Sequence, residues 1–391
     1  MHDTTQSVIL PAIPAESEPL LRLLLSGAPA ASLRRLLDAH GDAVAVLVAG
    51  SAQWAAQGLD AVTCAAIARP DRRTLAASLR WLEADSHALI GWSDPAYPPQ
   101  LREIASPPAA LFVVGDASLL WRPAIAVVGS RAATAGGRAN AARFATVLAE
   151  AGLAVTSGLA AGVDACAHGA ALEVGGITTA VLGTGPDVAY PRSNRALMAA
   201  VAEAGVLVSE HAPGTPALRT HFPSRNRIIA GLSLATLVVE AAQRSGALIT
   251  ARLAADAGRE VFAIPGSIHN PLARGCHRLI RDGAALVETP EEILDSLAAQ
   301  VAMLAGSQSR RLQAGADAGP ALDGLLSHPD YNILWQAIGH DPICMDELVL
   351  RTGLTAARAS SMLLALELEG HVVAEHGRYS RRVARARSAR S

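Results

Sequence analysis

The side chains best suited to hold an anion are concentrated in one short stretch, His221-Phe222-Pro223-Ser224-Arg225-Asn226-Arg227. Its two guanidinium groups and its amide can donate to phosphate oxygens, and the neighbouring aromatic ring can stack on a base. This mixture is typical of single-stranded nucleic-acid binding. A structural alternative stays open, in which Phe222 belongs to the core and one arginine caps a helix or pairs with Glu240.

Small residues that follow three predicted strands give a second candidate anion site. Glycines at such positions let backbone N–H groups approach phosphate oxygens, and a helix N-terminus such as the one predicted after Gly136-Gly137 adds partial positive charge. Ligands of an open α/β sheet bind outside the carboxyl ends of its strands. We therefore expect an anion-binding edge bordered by Gly129, Ser130, Arg131, Ser157, Gly158, Arg192 and Asn194.

The sequence lacks the fingerprints of the common nucleotide enzymes. No GxGxxG follows the first strand of the alternating region, and no GxxxxGK[ST] occurs. Carboxylates and histidines are present, but their spacing matches neither a nucleophile and its base nor a metal site. We predict no catalytic residue, no metal and no cofactor. The alternative is a nucleotide-binding sensor or nucleotide-processing enzyme on the same fold, with Asp164 or Asp187 as its carboxylate.

Alternating strands and helices must position these residues. Residues 92–116 are rich in proline, and the prolines precede a short apolar strand at 111–114, which we expect at the edge of the sheet. Seven apolar segments then alternate with helix-length segments, at 124–129, 153–157, 177–183, 206–209, 235–240, 260–264 and 284–287. This alternation predicts an α/β fold with an extended Rossmann-like, doubly wound, mainly parallel sheet.

Smaller domains are predicted on both sides of the sheet. Helical spacing at 18–26, 31–40, 51–58 and 72–85 predicts a SAM-like or helix-hairpin-helix-like domain, for which an interaction role and a DNA-backbone role both stay open. Three helical segments and a hairpin after residue 331 have the pattern of a winged helix, which contacts nucleic acid or protein. The predicted domains are 1–85 (helical), 86–300 (Rossmann-like, DNA-binding), 301–322 (flexible linker) and 323–391 (winged helix with a basic tail).

Composition excludes several classes of protein. The chain is 51% hydrophobic and 17% charged, which is too apolar for whole-chain disorder. Its longest apolar run, 43–49, is far below the roughly 18 residues of a membrane span, and no signal sequence is evident, so we expect a cytoplasmic protein. The four cysteines include no CxxC pair. All 33 basic side chains are arginine, which reflects either a coding bias or phosphate recognition.

Five ordered motifs resemble the DNA-processing protein A (DprA, or Smf) family. They are Gly129-Ser130-Arg131, Ser157-Gly158 through Asp164, Ala189 through Asn194, Phe222 through Arg227 and Gly258 through Gly266. The resemblance implies a non-enzymatic protein that binds and protects single-stranded DNA during natural transformation. It further implies that the protein loads the RecA recombinase as single-strand-binding protein is displaced. It also implies a homodimer that forms through the sheet domain, and we expect the contact surface around 277–285.

The resemblance also assigns roles to individual residues. Phe222 would contact a base, and the residues that would line the DNA pocket and hold phosphates are Ser130, Arg131, Arg225, Asn226 and Arg227. Many members of the family carry a lysine shortly before the Phe-Pro pair. Arg219 is the nearest cation in this sequence.

Overall fold

A computed structural model of the chain describes residues 17–301 and, in the C-terminal part, 329–339, 343–354, 359, 362, 363, 366, 372–375 and 378–381. The chain divides into two compact units, Met1–Ala298 and Ala299–Ser391. No helix within these described ranges is long and apolar enough to cross a membrane.

The first unit begins with five helices, α1 (Ser17–Leu24), α2 (Ala30–His40), α3 (Ala43–Ala56), α4 (Ala61–Ala68) and α5 (Arg72–Trp81). Three of them start at an aspartate whose carboxylate accepts a hydrogen bond from the first turn, as Asp60 does from the N–H of Thr63. Leucines of α1 and α2 pack around Trp54. Helix α3 starts earlier than the helix predicted at 51–58. Gly50, with φ 79°, interrupts the helix, and the sequence pattern predicted only the part after this break.

A nine-stranded sheet follows. Its strands are β1 (His87–Gly91), β2 (Ala110–Gly115), β3 (Ala124–Val128), β4 (Ala154–Ser157), β5 (Thr178–Leu182), β6 (Val206–Ser209), β7 (Ala235–Val238), β8 (Glu260–Ala263) and β9 (Ala285–Leu286), in the spatial order β1-β2-β6-β5-β4-β3-β7-β8-β9. The pairs β1/β2 and β2/β6 are antiparallel, and the other pairs of this sheet are parallel. The predicted doubly wound sheet is confirmed. The edge position predicted for 111–114 is wrong, because β1 pairs with β2 and covers it.

Helices cover the sheet. They are α6 (Pro99–Arg102), α7 (Ala135–Glu150), α8 (Val163–Glu173), α9 (Arg195–Ala204), α10 (His221–Gly231), α11 (Gly246–Asp256) and α12 (Arg274–Arg281), followed by helical residues 290–301. All of these numbered helices except α6, which lies between the antiparallel strands β1 and β2, connect parallel strands. Strands β3, β4, β5 and β7 are buried along their whole length, as expected of a sheet covered on both faces. The chain runs from β3 outward to β4 and later returns to β7 on the other side of β3. This reversal creates a crevice at the carboxyl end of β3.

The second unit has the predicted winged-helix pattern. Helices Pro329–Ala337 and Met345–Thr352 accompany a three-stranded antiparallel sheet of Ile343–Cys344, Arg378–Arg381 and Val372–Glu375. Apolar side chains from these elements, including Leu334 and Leu348, form its core. Except for Val301, the linker predicted at 301–322 lies outside the described residues. The predicted basic tail after Arg381 also lies outside them.

Candidate functional site

A cavity of about 680 Å³ opens at the crevice beside β3. Its walls come from the loop after β3, from the loop between β4 and α8, from the loop after β5, from α10 and from the first turn of α11. The polar and aromatic lining residues are Ser130, Arg131, Asp164, Tyr190, Arg219, Phe222, Arg225, Asn226, Arg244, Ser245 and Thr250. Side chains that are far apart in the sequence thus meet where the sheet topology places a ligand site.

Four arginines border this cavity, against one carboxylate. Arg131, Arg219 and Arg244 are exposed, and Arg225 is only 5% exposed. Asp164 is buried, and its carboxylate accepts hydrogen bonds from the N–H groups of Gly158 (3.2 Å) and Ala160 (3.3 Å). Burial raises the pKa of Asp164, against the opposing effects of Arg225 and these N–H groups. The accessible charge at the cavity is therefore positive.

Arg225 reaches the cavity across the end of β4. Its guanidinium donates to the carbonyl of Val181 and lies directly over Gly158, where a Cβ atom would overlap it. Burial lowers the pKa of Arg225 to about 10, so the group stays charged at neutral pH. Its Nε has no hydrogen-bond partner. A buried cation with an unused donor favours an anion in the adjacent cavity.

An aromatic pair forms part of the wall. The rings of Phe222 and Tyr190 are 5.0 Å apart between centroids and tilted by 37°. The guanidinium carbon of Arg131 lies 5.6 Å from the centroid of the Phe222 ring, within cation–π range. Phe222 also packs on Gly183, where a Cβ would come within 2.9 Å of the ring. The ring is thereby held at the cavity, where Phe222 is a half-buried wall residue.

Asn226 and Arg227, two further polar residues of the Phe222–Arg227 motif, lie in different surroundings. Asn226 borders the cavity and donates to the carbonyl of Gly246 at 3.3 Å, which joins α10 to the first turn of α11. Arg227 does not line the cavity. It forms an ion pair with Glu210, and only 16% of its side chain is exposed.

The residues predicted from strand ends divide into three groups. Gly129 and Ser130 border the cavity together with Arg131. Ser157 and Gly158 lie beneath it: the Ser157 hydroxyl is fully buried and donates to the carbonyl of Val127 at 2.7 Å, and Gly158 provides space for Arg225.

Arg192 and Asn194 belong to the third group, outside the cavity. Arg192 is exposed and borders a separate groove. Asn194 donates to the carbonyl of Leu159 at 2.9 Å, and Leu159 has a φ of 57°. Asn194 thus supports the loop after β4 and does not line the cavity.

The helix predicted after Gly136-Gly137 is α7, which begins earlier, at Ala135, and contains both glycines; its N-terminus is occupied by the protein's own carboxylate. Glu240 accepts hydrogen bonds from the N–H (2.9 Å) and hydroxyl (2.7 Å) of Thr134, the residue that caps α7, and from Asn270 (3.3 Å). It forms no ion pair with Arg225 or Arg227, so the alternative in which one of these arginines pairs with Glu240 is wrong. The helix N-terminus that lines the cavity belongs to α11.

Sequence reasoning assigned no role to three features of the cavity. These are the ring of Tyr190, the cation Arg244, and the first turn of α11 at Ser245-Gly246. Arg244 and this turn come soon after β7, so the strand-end rule that pointed to Gly129 would have found them as well. Within the described residues no group of three or more potential metal ligands is found, and the four cysteines are free.

Comparisons of the sequence and of the structure with known proteins lead to the same family. Residues 88–298, more than half of the chain, match the family model described as "DNA recombination-mediator protein A", and residues 316–378 match "DprA winged helix domain". The chain is 42% identical over 311 residues to the Escherichia coli protein Smf, covering 79% of this chain and 81% of that one.

Two solved structures are similar to this chain. The X-ray structure of DNA processing protein A from Streptococcus pneumoniae is 37% identical, with a TM-score of 0.64, and covers 71% of this chain and 96% of that one. The structure of DNA processing protein A from Helicobacter pylori is 26% identical, with a TM-score of 0.50, and covers 55% and 96%. The latter is described by its single-stranded DNA binding mode.

Proposed function

Because this chain belongs to the DNA recombination-mediator protein A family, also named DprA or Smf, we propose that it binds single-stranded DNA in the cavity at the carboxyl end of its sheet. The observation that carries this proposal is the convergence of four arginines and an aromatic pair on one cavity with a single, buried carboxylate. Phosphates supply the negative charge and unstacked bases supply the flat surfaces that this lining matches. The single-stranded DNA binding mode described for the Helicobacter pylori relative supports the same ligand.

The side chains of the cavity have different roles in DNA binding. Exposed Arg131, Arg219 and Arg244 contact phosphates, because they can move to follow a flexible backbone. Arg225 stays in place under the cavity and supplies a fixed positive charge. Phe222 stacks on a base, held in position by Tyr190.

We further propose that the protein protects DNA taken up during natural transformation and loads RecA onto it, displacing single-strand-binding protein, and that it acts as a cytoplasmic homodimer. This role requires no catalysis. The nucleotide-processing alternative needs an available carboxylate. Asp164 is buried under two backbone hydrogen bonds, and Asp187 does not line the cavity and accepts a hydrogen bond from Gly214 at 2.7 Å. Family membership supports the DNA role instead.

The first experiment is fluorescence anisotropy of labelled single- and double-stranded oligonucleotides over a salt series. Salt-sensitive preference for the single strand is the expected result, because each bound phosphate releases counterions. A screen for nucleotide turnover and for nucleotide-induced thermal stabilisation runs in parallel. Absent strand binding at low salt, together with nucleotide stabilisation, would overturn the proposal. RecA loading is then tested by RecA filament formation on DNA covered with single-strand-binding protein.

A further inference from the structure

A second groove lies on the same unit, beyond the loop that carries Tyr190. Its volume is about 840 Å³. It is formed by the end of α5 and the start of β1, by β2 and β6, by the loop after β5, and by α9. The lining residues that matter for its chemistry are Trp81, His87, Val114, Asp187, Arg192, Arg195, Met198 and Leu207.

The groove combines an apolar lining with two exposed cations and one exposed carboxylate, Asp187, which accepts a hydrogen bond from the N–H of Gly214. Val114, Met198 and Leu207 are buried side chains that border it. Arg192 and Arg195 are exposed, and neither belongs to an ion pair of the described residues. An apolar surface beside free guanidinium groups fits a ligand with flat apolar parts and regularly spaced negative charges.

Trp81 provides a prearranged aromatic surface in this groove. Its ring stacks on His87, with centroids 4.1 Å apart and an angle of 21°, and meets Phe112 edge-on at 5.9 Å. A ring nitrogen of His87 is 2.6 Å from the carbonyl oxygen of Trp81, which fixes the pair further. Trp81 remains half-buried, so part of its surface is open to the groove. A ring already fixed in place loses little conformational freedom when a base stacks on it.

One loop connects the groove to the cavity described above. Tyr190 borders the cavity, whereas Ala189 and Arg192 border the groove. Two residues of extended chain span at most about 7 Å. A single strand of DNA that leaves the cavity past Tyr190 would therefore come close to Arg192 within about one nucleotide.

We propose that this groove is a second subsite for the same DNA strand, with Arg192 and Arg195 on phosphates and Trp81 as a stacking surface for a base. The inference rests on the proposed function and extends it. It makes the N-terminal helical domain, which supplies Trp81, part of the DNA-binding surface. An acidic peptide is the competing occupant, and continuity with the cavity favours DNA.

The test compares homothymidine strands of about 5 and about 15 nucleotides, which lie near the lower and upper ends of the site sizes of single-strand-binding modules. The double variant Arg192→Ala/Arg195→Ala removes the cations of the groove. The control, Arg122→Ala/Arg143→Ala, removes two exposed arginines that border neither cavity nor groove. We expect the groove variant to lose about tenfold in affinity for the long strand, to bind the short strand like wild type, and to unfold at an unchanged temperature.

Tryptophan fluorescence gives an independent readout. The long strand should quench emission more than the short strand does, and Trp81→Phe should remove the difference. Equal affinity of the groove variant and wild type for the long strand would overturn the subsite while leaving the proposed function intact. Wild-type protein that binds neither strand would overturn both. A poly-aspartate peptide that binds wild type but not the groove variant, with strand affinity unchanged, would assign the groove to a protein partner.

Discussion

Arg225 and Arg227 lie two residues apart on α10 and have opposite environments: Arg225 is inserted over Gly158 at the cavity, and Arg227 is paired with Glu210. The cause is helical geometry, since two residues of an α-helix are rotated by about 200° around its axis. One arginine of the motif therefore serves the cavity, and the other serves the attachment of α10 to the segment after β6.

The exposed arginines of the cavity should control the salt dependence of binding. We expect Arg131→Ala/Arg219→Ala to weaken single-strand affinity for all sequences and to reduce the slope of log affinity against log salt by about 1.4, or about 0.7 for each lost phosphate contact. Anisotropy titrations over a salt series measure both quantities. Arg227→Ala is the contrasting variant, because it should keep the wild-type slope while its unpaired Glu210 lowers the free energy of unfolding by about 2 kcal/mol. An unchanged slope in the double variant would remove these contacts from the model of binding.

Phe222 should contribute through stacking rather than through packing. We expect Phe222→Ala to weaken binding by about 5- to 150-fold, corresponding to about 1–3 kcal/mol for one stacked base. An oligonucleotide made of abasic sites is the matched control, because it retains the phosphates and offers no base to stack. If Phe222→Ala weakens binding to the abasic strand just as much, the ring acts by positioning Arg131 and not by contacting a base.

The sheet and the position of the site could be predicted from the sequence because both depend on local patterns. Apolar strands alternate with helices, and strand ends carry small residues such as Gly129. The environment of Arg227 could not be predicted, since it depends on the register of a helix that contains Pro223 in its first turn. The hydrogen bonds of Glu240 to Thr134 join residues 106 positions apart, so no local pattern reveals them. Arg192 was predicted at the cavity because it follows a strand end in the sequence, but the path of the loop after β5 places it in a separate groove.

Two glycines should be intolerant of a methyl group. At Gly158 a Cβ would overlap the Arg225 guanidinium, and at Gly183 it would come within 2.9 Å of the Phe222 ring. We expect Gly158→Ala and Gly183→Ala each to displace a wall residue and to weaken strand binding. Gly169→Ala in α8 is the matched control: a Cβ there meets nothing within 4 Å, and alanine favours a helix by up to about 1 kcal/mol. Binding and thermal unfolding of all three variants check this, and wild-type affinity in Gly158→Ala would show that Arg225 is not needed in its observed place.

His168 should make the fold sensitive to acid. The Thr178 hydroxyl donates to the carbonyl of Val155 at 2.7 Å, so the Nδ1–H of His168 must be the donor to the Thr178 oxygen at 2.7 Å. The other ring nitrogen is then a buried acceptor without a partner. Burial, together with the nearby positive charge of Arg225, lowers the pKa of His168 to about 3. When the pH falls below 6.5, the ordinary pKa of histidine, His168 is protonated in the unfolded chain but stays neutral in the folded chain. The free energy of unfolding therefore falls progressively from pH 6.5 towards pH 3.

We expect the free energy of unfolding to decrease on the order of a few kcal/mol over this range, and His168→Asn to reduce the decrease, because its amide can still donate to Thr178 and does not titrate. Denaturant unfolding of both proteins at a series of pH values measures the difference. His211, whose pKa is lowered to about 4 by burial and by His221 and Arg227, contributes in the same direction in both proteins and therefore cancels in the comparison. Parallel pH profiles for the two proteins would mean that His168 takes up its proton in the folded state, which the tautomer derived from Thr178 does not allow without a rearrangement of the buried α8–β5 contact.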